Sequence, residues 1–158
     1  MNQEGYAITV TQREGRWEVR EFADNFTRVS HAISAVRNLR SESAAFAIVN
    51  VEEEYLAIVR PGPRGTRALI SDATMAVDDD FAADICEEAG IEIPDIDPAD
   101  LDDVDAYADG DFDILADLGL SEGTLAVLID DGEADPSEII ERIADELGFL
   151  DELLDAVG

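Results

Sequence analysis

The run Ala45-Phe46-Ala47-Ile48-Val49-Asn50-Val51-Glu52-Glu53-Glu54-Tyr55-Leu56-Ala57-Ile58-Val59 decides the fold. Ala45 to Val51 and Tyr55 to Val59 are almost continuously apolar, and three glutamates separate them. Short, unbroken apolar runs rich in β-branched residues are the mark of central strands. The intervening acids then form the turn that joins two sheet neighbours.

Working toward the N-terminus, the periodicity changes. Tyr6, Ile8 and Val10 alternate with Ala7, Thr9 and Thr11, as in a half-buried strand. Glu14-Gly15 breaks the run, and Trp17 and Val19 resume it. This predicts a hairpin with a loop of three to five residues. Asp24 or Asn25 is placed to cap a helix whose stripe is Phe26, Val29, Ala32, Ile33, Val36 and Leu39. Toward the C-terminus, Pro61-Gly62-Pro63-Arg64-Gly65 predicts a turn or loop, and Arg67 to Ser71 a fifth strand. The order ββαβββ describes an α+β body, an antiparallel sheet with a helix packed over one face. A further helix over Phe81 to Ala89, preceded by Asp78-Asp79-Asp80 and ended by Gly90, brings this body to residues 1–90.

Residues 91–111 differ in kind. Pro94, Pro98 and eight aspartates fall there, which predicts an extended, acidic linker. Residues 112–158 return to helical spacing as a small acidic helical region. Ile114, Leu115 and Leu118 precede Gly119; Ser121 caps a helix carrying Leu125, Leu128 and Ile129. Asp135-Pro136 opens another, with Ile139, Ile140, Ile143 and Leu147, closed by Gly148. Leu150, Leu153 and Leu154 mark a last short helix. Helices this short are marginal alone. Their stripes must meet one another, the sheet, or a partner's groove.

Charge follows the same division. The 158 residues carry 39 acids against 10 arginines and no lysine, a formal net charge of -29. Nine arginines and nine acids lie at or before Arg67, and the other 30 acids face only Arg142. All the net charge therefore belongs to the C-terminal 91 residues. Such a surface opposes broad contact with phosphate backbones or anionic lipid. No direct nucleic-acid or membrane contact is expected. The N-terminus lacks the basic and apolar regions of a signal peptide, so the expected compartment is the cytoplasm.

Catalytic patterns were tested against the residues. Placing Gly110 at position 6 of a calcium-binding EF-hand loop puts Asp105 and Asp109 at positions 1 and 5, but Tyr107 at 3 and Ala116 at 12. The bidentate glutamate is missing. Cys86 and His31 are the only thiol and imidazole, on separate predicted helices, and acidic neighbours oppose thiolate formation at Cys86. Paired carboxylates are too abundant to single out one pair. No catalytic, cofactor-binding or metal-ligating residue is assigned, and no cofactor is expected. Two groups carry the remaining interest. Arg60, Arg64 and Arg67 surround a Pro-Gly-Pro turn and suit either an external anion or the chain's own acids. Asp100, Asp102, Asp103, Asp105 and Asp109 are candidate partner-facing acids.

The layout resembles a known family. The quoted strand pair is followed by Leu69-Ile70-Ser71-Asp72-Ala73, an Asp-rich middle, and Asp111-Phe112-Asp113-Ile114-Leu115-Ala116-Asp117-Leu118-Gly119-Leu120. Ile143-Ala144-Asp145-Glu146-Leu147-Gly148-Phe149 and a Leu-rich tail complete it. Together they resemble the tRNA adenosine deaminase-associated proteins of high-GC Gram-positive bacteria, over nearly the whole chain. The resemblance implies a tRNA-editing deaminase as partner and carries over no catalytic residue. The deaminase itself holds zinc through His-x-Glu and Pro-Cys-x-x-Cys. Here Ala32 and Ile33 follow His31, and Cys86 stands alone, so this chain is expected to accompany that enzyme without catalysing its reaction. A tRNA-binding enzyme presents a basic surface on which an acidic partner can dock. The alternatives are that the acidity only solubilises, with no partner reading it, or that the chain is an enzyme of unknown type.

Overall fold

The computed structural model describes residues 5–22, 28–39, 44–62, 65–130 and 134–157. Six strands form one sheet: β1 (Gly5–Arg13), β2 (Arg16–Phe22), β3 (Ala45–Val51), β4 (Tyr55–Gly62), β5 (Gly65–Ile70) and β6 (Asp109–Gly110). Their spatial order is β2-β1-β3-β4-β5-β6, and every neighbouring pair is antiparallel. Helix α1 (Ser30–Asn38) follows β2, and α2 (Asp80–Ala89) follows β5. Three further helices close the chain: α3 (Glu122–Ile129), α4 (Pro136–Leu147) and α5 (Leu150–Val157).

The central strands are apolar in both parities because both faces of the sheet are covered. One face carries mostly small side chains, Ala7, Ala47, Val49, Ala57, Val59 and Ala68, with the larger Tyr55 and Ile70 among them, and α1 and α2 pack on it. Val29, Ala32 and Val36 from around α1, and Phe81, Ala82, Ile85 and Cys86 from α2, fill that core. The other face carries the larger Ile8, Val10, Phe46, Ile48, Leu56, Ile58 and Leu69. Against it pack Leu125 and Ile129 of α3, Ile139, Ile140 and Ile143 of α4, and Leu153 of α5. The expected helix over one face is present, and the C-terminal helices occupy the other. Their stripes meet the sheet and one another.

Local chemistry sets the boundaries. Asp79 caps α2 by accepting from the Ala82 amide, and Gly90 ends it in the left-handed region at φ 73°. Ser121 caps α3, accepting from the Thr124 amide at 3.3 Å. Pro136 occupies the first turn of α4, and Gly148 ends it at φ 105°. At the first hairpin the expected loop of three to five residues is corrected to two. Arg13 pairs directly with Arg16, leaving Glu14 and Gly15 at φ 52° and 79°. Both central residues are left-handed, which matches the twist of the flanking strands. Pro61 and Gly62 also belong to a strand and pair with Thr66 and Gly65. The expected caps Asp24 and Asn25, and Phe26 of the stripe, lie outside the described residues.

The acidic segment 91–111 has one 3-10 turn, Pro98–Asp103, and ends by joining the sheet as β6. Gly110 is required there: a Cβ at its φ of 121° would sit 2.4 Å from the Ala68 carbonyl oxygen. No helix among the described residues is long and apolar enough to cross a membrane.

Candidate functional site

The sheet has two edges, and the charged side chains treat them differently. At the β5–β6 edge, arginines on the sheet meet acids of the segment after β6. Arg60 on β4 donates to both Asp117 carboxylate oxygens, at 2.7 and 2.8 Å, and to the Ile114 carbonyl at 2.7 Å. A fork-on-carboxylate pair of this kind is geometrically specific and charge-assisted. Hydrogen bonding from Arg60 holds the Asp117 carboxyl below the usual carboxylate range, against the opposing effect of partial burial. Arg67, opposite Arg60 on β5, donates to Asp111 at 3.0 Å and Asp113 at 2.8 Å. These contacts, the first of them largest, raise the Arg67 pKa further. Arg64 lies outside the described residues.

A second polar link joins the sheet to the tail. Asn50, fully buried on β3, donates to Glu53 at 2.6 Å and accepts from the Glu53 amide at 3.1 Å. Glu53 in turn accepts from the Ser137 amide in the first turn of α4 at 3.2 Å. A carboxylate is favoured at the positive end of a helix. These bonds help hold Glu52 and Glu53 at φ 54° and 58°, where non-glycine residues are costly.

Between these anchors the acids are presented outward. Asp100, Asp102, Asp103 and Asp105 are exposed along the outer surface of the 3-10 turn and the chain after it. Asp109 differs: it is half-buried in β6 and accepts from the Gly110 amide at 2.8 Å. Among the described residues, no group of three His, Cys, Asp or Glu side chains is arranged to hold a metal ion. Cys86 is buried in α2, where burial first, then Asp109 and Glu87, pushes its thiol up to about 11. Tyr55, beneath the same helix, donates to Asp79 at 2.5 Å. His31 is exposed on α1.

At the opposite edge, the described residues seal β2 on one face only. Trp17 lies 5.1 Å from Phe149, between ring centres, on the side covered by α5. On the α1 side, the register aligns Thr9, Thr11 and Arg13 of β1 with Arg20, Glu18 and Arg16 of β2. These side chains and the end of α1 at Asn38 and Leu39 line an open groove of about 900 Å³. The sequence reading singled out the arginines around Pro61–Gly65 and missed this group. The available signal was parity: Arg16, Glu18 and Arg20 alternate with Trp17 and Val19, so they had to share a face.

Comparison with known proteins agrees with the layout. The model of the Rv3753c-like tRNA adenosine deaminase-associated protein family matches residues 5–150. Protein Rv3753c of Mycobacterium tuberculosis (strain ATCC 25618 / H37Rv) is 40% identical over 151 residues, covering 95% of this chain and 86% of that protein. No solved structure matches the chain.

Proposed function

Since the chain belongs to the Rv3753c-like tRNA adenosine deaminase-associated protein family, we propose that it is a non-catalytic, cytoplasmic accessory protein that docks on the basic surface of a tRNA adenosine deaminase. The family description names the association; the docking mode is inferred from charge. The observation that carries it is the outward row Asp100, Asp102, Asp103 and Asp105, on a segment tethered at its C-terminal end by β6 and the Arg60 and Arg67 contacts. Acids held on an ordered scaffold lose little freedom on binding, so complementary charge can steer association. An enzyme that binds tRNA supplies the opposite sign. The acidic protein then competes with tRNA for the same surface.

Native co-purification with the tagged protein at low and high salt tests this. The deaminase is expected in the low-salt eluate, reduced at high salt, and displaced by added tRNA. Replacing the four aspartates together by Asn should weaken retention at least tenfold while leaving the fold intact. Failure to recover the deaminase at either salt, or a stable ternary complex with tRNA, contradicts the proposal.

A further inference from the structure

The groove beside β2 has a composition that the rest of the molecule makes unusual. Arg13 and Arg16 stand directly opposite each other across the hairpin end, and Arg20 lies on the same face. Like charges placed opposite in a sheet are destabilising. The chain has 39 acids and uses them to hold Arg60 and Arg67, each against at least one carboxylate. At the groove, Arg20 pairs with Glu18, and among the described residues no ion pair joins Arg13 or Arg16 to a carboxylate. Among the described residues, these two arginines thus line an open groove without a carboxylate partner.

We propose that this groove binds a phosphorylated sugar, free or within a nucleotide. Planar guanidinium forks match phosphate oxygens two at a time, and Arg13 and Arg16 are spaced as cross-strand neighbours that can share one phosphate. The bound anion relieves the repulsion between them. The rest of the lining is mixed: Thr11 and Asn38 can donate to or accept from hydroxyl groups, Glu14 and the Arg20-paired Glu18 can accept from them, and Trp17 and Leu39 add apolar surface. Thr9, almost fully buried, forms the floor. The size, about 900 Å³, lies within the roughly 300–1,000 Å³ of small-molecule sites. A long polyanion is disfavoured, because the net charge of -29 repels it beyond the few residues of the groove. This site lies at the edge opposite the acids of the docking proposal and does not depend on it.

Titration of the ¹⁵N-labelled full chain by NMR, with ribose 5-phosphate, adenosine 5′-monophosphate and adenosine in separate arms, tests it. Amides of Thr9, Thr11, Arg16 and Glu18 should shift with one or both phosphorylated ligands and stay still with adenosine. A response to ribose 5-phosphate alone identifies a free sugar phosphate, and a response to the monophosphate alone a nucleotide. The double variant R13Q/R16Q should weaken that binding at least tenfold, with the rest of its spectrum unchanged; R142Q, far away in sequence on α4, should bind as the parent does. No shift with either phosphorylated ligand overturns the proposal. So does equal binding of adenosine, or binding that R13Q/R16Q leaves intact.

Discussion

The two edges of the sheet use the same residue type for opposite ends. At the β5–β6 edge, Arg60 and Arg67 are engaged by Asp117, Asp111 and Asp113, and the acidic segment is tied down. At the β2 edge, Arg13 and Arg16 are paired side by side at the hairpin end and line an open groove. The contrast teaches that the arginines of a strongly acidic chain are not uniformly charge balance. Arg60 and Arg67 meet the acidic segment and complete the fold, whereas Arg13 and Arg16 line the groove for which a ligand is proposed.

The contrast can be broken from either side. The largest effect is expected where β2 is sealed against the tail. Phe149 is fully buried between Trp17 and Phe46, and Phe149→Ala should cost about 3–5 kcal/mol in urea unfolding. A smaller cost would mean that the tail contributes little to holding that edge. Next comes Arg60→Met, which keeps much of the buried stem but strips the Ile114 carbonyl and Asp117 of their donor. About 2 kcal/mol of lost stability is expected, in the range of hydrogen bonds to charged groups. The same substitution should leave any ligand shift at Thr9 and Thr11 unchanged, since the two edges are separate.

pH sharpens the point. The Asp117 carboxyl is depressed in the folded chain, so its contribution is fully present above its unfolded value near 4 and is lost as pH falls through the lower folded value. Asp117→Asn should therefore flatten the stability profile below about pH 4 relative to the parent, measured by thermal melts across that range. The smallest effect belongs to the open edge. R13Q/R16Q should leave stability unchanged or raise it by about 0.2–1 kcal/mol, because a repulsive cross-strand pair is removed. Destabilisation by more than this would show that these arginines serve the fold, as Arg60 does.

Much was legible in the residues themselves. Alternation gave β1 and β2, unbroken apolar runs gave β3 and β4, and the caps at Ser121, Pro136, Gly90 and Gly148 marked helix ends where they stand. The family was legible too, in the segments Leu69–Ala73 and Asp111–Leu120. These signals are local: each depends on residues within one turn or one strand. The two-residue turn at Glu14-Gly15 was misjudged because Arg13 and Arg16, polar and outward, look like loop until their pairing is seen. β6 was hidden altogether, since two residues, Asp109 and Gly110, carry no periodicity.

The sequence by itself determined most of the elements and the neutral and acidic halves, and strands apolar on both parities cannot leave one face in water. It could not say what covers the second face, because the stripes of α3, α4 and α5 fit a partner's groove as well as the sheet. Only the tertiary structure decided that Ile8, Val10, Ile48, Ile58 and Leu69 take them. It also decided which arginines meet acids, because such pairings join residues 44 to 57 positions apart and are set by the register of the sheet, not by spacing along the chain.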